Sequence, residues 1–132
     1  MIRGSCLCGG VVFEIEGKVS PMELCHCSRC RKTSGSAFSA GLIAATRSLR
    51  WVRGEELISR FELPSGFQHD FCKVCGSPTP RPGEGKVTAL PAGCLDDDPG
   101  TRPFRHAFVG SKAAWSDIPD GLPKFEEHAE DA

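Results

Sequence analysis

A chain of 132 residues, 39% hydrophobic and 25% charged, has the size and composition of one soluble globular domain and is too short to divide readily into two. Its formal net charge of −1 supplies no field that would gather nucleic acid or an anionic membrane, so small molecules or proteins are the expected partners. Fifteen glycines and ten prolines favour short strands with many turns over long helices.

The opening MIRGSCLCGG has no apolar signal core, and nowhere do 18 apolar residues run together. No membrane span is expected, and the expected compartment is the cytoplasm. VVFEIE, Val11 to Glu16, puts Val11, Phe13 and Ile15 on one face and Val12, Glu14 and Glu16 on the other, the two-residue period of a half-buried strand. Ser28 to Ser34 predicts a turn or two of helix. AFSAGLIAA, Ala37 to Ala45, predicts a buried strand interrupted at Gly41. LISRFEL, Leu57 to Leu63, alternates again and closes on Pro64-Ser65-Gly66, after which Phe67 to Phe71 leads into CKVC. Val87 to Leu90 and Phe104 to Val109 complete the predicted strands, and Ser111 to Trp115 predicts a short helix or strand. The acidic tail from Glu126 is expected to fray. A mainly β, antiparallel architecture follows.

Seven of the eight cysteines stand in groups of two, three and two: Cys6 and Cys8 in CLC, Cys25, Cys27 and Cys30 in CHCSRC, Cys72 and Cys75 in CKVC. In a reducing compartment such sulfurs read as metal ligands or catalytic groups before disulfides, and C-x-C and C-x-x-C neighbours are too close to staple a fold while suiting one ion. Zinc is the natural occupant, because it accepts soft sulfur in a tetrahedral shell. Gly9 and Gly76, each just after a cysteine pair, permit the tight turn that aims backbone N–H groups at the sulfurs. A structural site takes four ligands, so Cys6 and Cys8 join Cys72 and Cys75, which leaves Cys25, Cys27 and Cys30 as a tripod with an open fourth position. Recruitment of Cys94 or His26 as a fourth ligand would instead make both sites structural. Three thiolates leave the ion a poor activator of water, and a sulfur-rich site favours another sulfur, so a thiol substrate is expected.

The order GSCLCGGVVFEIEG, CHCSRCRKTSG, FCKVCGS, GCLDDDP and RPFRHAFVGSKAAWSDIPDGLPKFE resembles the glutathione-dependent formaldehyde-activating enzyme family, which also contains centromere protein V. The resemblance covers a single domain from Arg3 to Glu126 and leaves 127–132 as the tail. It implies a β-tent of small antiparallel sheets stitched by a structural zinc on Cys6, Cys8, Cys72 and Cys75. A second, catalytic zinc on Cys25, Cys27 and Cys30 is implied too, with partial occupancy allowed. The implied activity is that of a carbon-sulfur lyase joining glutathione and formaldehyde to S-hydroxymethylglutathione. Since the chain is shorter than the founding enzyme type, the expected substrates are a glutathione-like thiol and a small electrophile such as an aldehyde.

Arg29, Arg31 and Lys32 form a basic cluster that could receive the carboxylates of such a substrate, or could be a solvated helix face. His26 is expected to point away from the metal. His69 and His106 read as packed, hydrogen-bonded core histidines, with His106 also able to face a pocket. Phe38 and Trp115 are candidate pocket walls or core. HAE at 128–130 resembles the H-x-E of zinc deaminases but lacks the P-C-x-x-C that completes it. The alternative to an enzyme is a non-catalytic two-zinc structural module that binds a protein partner. Oligomeric state has no signal.

Overall fold

Glycine and proline cut the alternating segments into strands of four to seven residues, which assemble into three small sheets in a computed structural model that describes residues 1–83 and 85–128. The first sheet has the order β1 (Ile2–Ser5), β2 (Val12–Ile15), β5 (Leu49–Arg53), all antiparallel. The second has the order β8 (Val87–Pro91), β4 (Ser39–Ala45), β3 (Met22–Cys25), β9 (Pro103–Ala107). The third is the hairpin of β6 (Ile58–Glu62) and β7 (Gln68–Cys72). One α-helix, α1 (Ser28–Ser34), follows β3 and occupies the segment the sequence predicts.

The main core lies between the first two sheets, where Ile2, Phe13, Ile15, Val19, Leu42, Ala44 and Leu90 meet. A second, smaller cluster gathers Val11 with the sulfurs of Cys6 and Cys72, flanked by Leu57 and Ile58. Trp51 packs against both clusters and meets Phe13 edge to face at 6.0 Å. The indole therefore couples the hydrophobic core to the sulfur-bearing end of the molecule.

Several local expectations change in the fold. β4 runs through Gly41 without a break, because Gly41 pairs with Glu23 on one side and Pro91 on the other. Val12, placed on the outer face by alternation, is buried like Val11, and the pairing of β2 with β5 shifts register between Val12 and Phe13, where Val52 of β5 is the extra residue. β3 and β9 pair in parallel in an otherwise antiparallel assembly. No hairpin turn joins these two strands, so nothing local forces the opposite direction. The stretch Ser111 to Trp115 holds the end of a 3-10 turn, Val109–Ser111, and a turn closed by the Ser116 N–H on the Ala113 carbonyl, and Trp115 is exposed.

Behind β9 the chain returns as a strap. The His106 N–H donates to the Pro123 carbonyl at 2.8 Å, the Phe125 N–H to the His106 carbonyl at 3.0 Å, and the Phe108 N–H to the Glu127 carbonyl at 3.0 Å. Residues 129–132 of the acidic tail, including two positions of the HAE triplet, lie outside the described residues.

Phe13 is 1% exposed and is the largest of the fully buried side chains. Phe13→Ala should cost about 3–5 kcal/mol through lost transfer energy and the cavity left behind, measured by chemical denaturation of the metal-loaded protein.

Candidate functional site

The first sulfur group forms where the chain leaves β1 and where it leaves β7. Cys6, Cys8, Cys72 and Cys75 place their Sγ atoms within 4.8 Å of one another. Gly9 and Gly76 adopt φ of +77° and +80°, a region that other L-residues enter only at a cost. Their N–H groups close each loop on the Cys6 carbonyl at 3.0 Å and the Cys72 carbonyl at 2.7 Å. Sγ of Cys6 lies 3.5 Å from that of Cys8, and Sγ of Cys8 lies 3.9 Å from that of Cys72. A tetrahedral thiolate shell with bonds of about 2.3 Å has sulfur–sulfur edges of about 3.8 Å, so the group fits zinc.

Hydrogen bonds already favour the thiolates of Cys6 and Cys75. The Val11 N–H donates to Cys6 Sγ at 3.2 Å. The Ser77 hydroxyl, which accepts from the Leu7 N–H at 2.9 Å, lies 3.3 Å from Cys75 Sγ. That hydroxyl, helped by the Ser77 backbone N–H, brings the Cys75 thiol down to about 5.

The second group forms where β3 runs into α1. Cys25, Cys27 and Cys30 bring their Sγ atoms within 4.8 Å of one another. Cys27 occupies the helix N-cap, and its sulfur takes the role usually played by an oxygen, accepting from the Cys30 N–H at 3.3 Å. The cap thus aims two of the three sulfurs at one point. A hydrogen bond from Cys25 holds the Cys30 thiol down to about 6, while the same contact and burial push the Cys25 thiol up. Three sulfurs form one face of a tetrahedron, which also suits zinc.

Among the described residues, no histidine, carboxylate or further cysteine joins either group. Cys94 donates its thiol hydrogen to the Pro78 carbonyl at 2.7 Å, and burial pushes that thiol up to about 11. All eight cysteines are free of disulfides.

A cavity of about 800 Å³ is lined by Cys6 of the first group and Cys30 of the second. Thr33, Ser34 and Phe38 line it beside Cys30, and His69, Asp70, Thr79 and Arg81 line it from the hairpin and the segment that follows. Its volume is that of a pocket for a small organic molecule or short peptide. Phe38 therefore serves as pocket wall, whereas Trp115 does not reach it. Arg29, Arg31 and Lys32 are also absent from its walls, and Arg29 instead lies over the Phe67 ring at 5.7 Å.

The model of the family described as glutathione-dependent formaldehyde-activating enzyme matches residues 1–111. The chain belongs to this family. A Halomonas elongata protein provisionally named glutathione-dependent formaldehyde-activating enzyme is 30% identical over 129 residues, covering 89% of this chain and 81% of that one. A crystal structure of a Rhodobacter sphaeroides protein is similar with a TM-score of 0.58 at 28% identity, covering 76% of this chain and 97% of the other. No helix among the described residues of this formaldehyde-activating-type chain is long and apolar enough to cross a membrane.

Behind the three-sulfur loop of this family member runs a buried polar chain that the sequence reading did not assemble. His26 Nε2 lies 2.8 Å from His106 Nδ1, and His106 Nε2 lies 3.0 and 3.1 Å from the two Asp120 carboxylate oxygens. The Leu122 N–H and the His106 ring hold Asp120 below the ordinary carboxylate value, so it is an acceptor near neutrality. The donors are then settled in order: His106 Nε2–H donates to Asp120, and His26 Nε2–H donates to His106 Nδ1. His26 Nδ1 is left as a buried lone pair without a partner. Burial, and next to it the neighbouring His106, lower the His26 pKa and keep the ring neutral.

His26 thus points away from the sulfurs, as expected, and His106 is the packed, hydrogen-bonded residue expected of it, with both ring nitrogens engaged. His69, expected in the core, is half-buried, stacks on Phe71 at 5.3 Å and lines the cavity. Asp120 had no local signal beyond the turn-forming PDG that contains it. His106→Phe keeps ring volume but leaves the His26 N–H without its acceptor and removes the ring donor from Asp120, which keeps its Leu122 N–H. It should cost about 1–3 kcal/mol in denaturation of the metal-loaded protein, with the Asp120–His106–His26 chain of no stabilising value if the midpoint is unchanged.

Proposed function

We propose that this protein is a carbon-sulfur lyase that joins a glutathione-like thiol to a small aldehyde. The observation that carries this reading is the asymmetry of the two sulfur groups. One has four sulfurs, and the other has three, one of which, Cys30, stands on the wall of a cavity large enough for a short peptide. Zinc held by Cys25, Cys27 and Cys30 would supply a sulfur-accepting position at which a substrate thiol is kept as thiolate.

The remaining work falls to residues of the chain. The Cys30 N–H bond to Cys27 Sγ fixes the spacing of the first helical turn, so the three sulfurs present one open face. Phe38 forms an apolar part of the cavity wall and packs on His26 at 5.3 Å, which ties that wall to the loop bearing Cys25 and Cys27. In the forward reaction the thiol sulfur adds to the aldehyde carbon. One carbon–sulfur bond forms, the carbonyl π bond breaks, and the thiol proton ends on the oxygen. The reverse reaction returns aldehyde and thiol. Formaldehyde is the smallest electrophile of this class and the one named in the family description.

The test is sulfur coordination at the second ion. X-ray absorption of the zinc-loaded protein should show one additional sulfur when glutathione is added, and product S-hydroxymethyl thioether should appear when formaldehyde follows. An unchanged shell with every thiol tried would overturn the enzyme reading and leave the two-zinc structural module.

The two groups should also respond differently to substitution. Cys72→Ser removes a ligand from the four-sulfur group, whose metal would contribute about 10–16 kcal/mol, comparable to a whole domain's net stability, and should unfold the chain. Cys27→Ser should lose one zinc, read by metal analysis, and keep the cooperative melt. Equal loss of structure in both variants would sink the division of labour.

A further inference from the structure

The carboxylate of a peptide-like thiol needs a counter-charge on the cavity wall, and the helix residues Arg29, Arg31 and Lys32 do not line that wall. The hairpin side does offer one. Asp70 is 7% exposed, and two arginines address its carboxylate: Arg60 Nε at 2.7 Å and Arg81 Nε at 3.4 Å. One carboxylate between two guanidinium groups leaves one positive charge in excess.

The two arginines are not equivalent. Arg60, on β6 directly opposite Asp70 on β7, also donates through Nη2 to the Pro82 carbonyl at 3.0 Å and so is engaged on two edges. Arg81 touches Asp70 only through Nε, and neither of its Nη groups has a partner among the described residues. Its side chain is 47% accessible and lines both the large cavity and an adjoining one of about 430 Å³, which share Gln68 and Ala89 as well. Beside it on the large cavity's wall is Thr79, 7% exposed, whose Oγ1 makes no hydrogen bond. The other acidic residue at this cavity, Asp96, accepts from the Ser5 hydroxyl at 2.7 Å and makes no ion pair with Arg81 among the described residues. Arg81 is the basic side chain of the cavity, and its outer edge has the paired N–H geometry that carboxylates accept.

We propose that Arg81 is the residue that selects an anionic thiol, receiving a substrate carboxylate on its two Nη groups while Asp70 holds the guanidinium plane through Nε. This rests on the thiol-substrate reading above and adds to it the residue that receives the substrate's carboxylate and so favours a peptide thiol over a simple alkyl thiol. The shared Asp70 anchor reduces the rotamer freedom that Arg81 loses on binding, so more of the charge-assisted hydrogen bonding appears as affinity.

S-Methylglutathione separates this subsite from the sulfur chemistry, because it keeps both carboxylates and has no thiol. Calorimetry on the zinc-loaded protein should show it binding at least about tenfold more tightly than its diethyl ester, the factor expected for a charge-assisted pair. Arg81→Gln should remove that difference and Arg81→Lys should restore part of it, with zinc content unchanged in both. Equal binding of acid and ester by the unmodified protein, or no binding of either, overturns the Arg81 assignment without any variant being needed. So does an acid-over-ester preference that survives in Arg81→Gln. None of these outcomes touches the thiol reading, which stands or falls on the sulfur shell of the second ion.

Discussion

The structure depends on bringing two distant pairs of cysteines to one point. Cys6 and Cys8 leave the first strand, Cys72 and Cys75 leave the seventh, and their four sulfurs lie within 4.8 Å of one another. The fully buried part of the apolar cluster at this end is Val11 with two of those cysteines, flanked by the partly buried Trp51, Leu57 and Ile58, so only modest hydrophobic burial holds the hairpin of β6 and β7 against the first sheet. A metal bound there would substitute for a core. Closing a loop of some sixty residues costs only slightly more entropy than closing a short one, so one ion can secure half the chain. Trp51 carries that constraint into the main core through its contact with Phe13.

The second sulfur group uses different means. Its three cysteines lie within six residues, and helix capping rather than long-range closure sets their geometry. All three of its sulfurs come from one local segment, so an open fourth position there would leave the joining of the distant cysteine pairs untouched. The buried chain from Asp120 through His106 to His26 supports this loop from behind. Because the strap's backbone also pairs with His106, the residues around 120–127 are tied to the loop that bears Cys25 and Cys27 by both side-chain and main-chain bonds. The cavity then draws one lining cysteine from each group.

Much of this was legible in the order of residues. The grouping of sulfurs in twos and threes, the glycines after CLC and CKVC, the helix after the triplet and six of the nine strands all carry local signals, because ligand spacing, positive φ and two-residue alternation are local properties. Strand β5 could have been found as well, since LRWVR turns Leu49 and Trp51 inward between outward-facing neighbours. The short strands IRGS and MELC could not, because four mixed residues carry too little pattern and become strands only when a partner supplies the ladder. The parallel pairing of β3 with β9 was invisible for the same reason.

Sequence by itself determined which atoms could hold metal and how many each local group could offer, since the chemistry of sulfur and the reach of a two- or three-residue turn do not depend on the rest of the fold. Tertiary structure decided which groups come close enough to share an ion, that among the described residues neither Cys94 nor a histidine joins the triplet, and that the arginine lining the cavity is Arg81 instead of the more conspicuous Arg29, Arg31 and Lys32. The reason is physical. A charge or a sulfur acts through distances of a few ångströms, and only long-range strand pairing and core packing set which distant residues come that close.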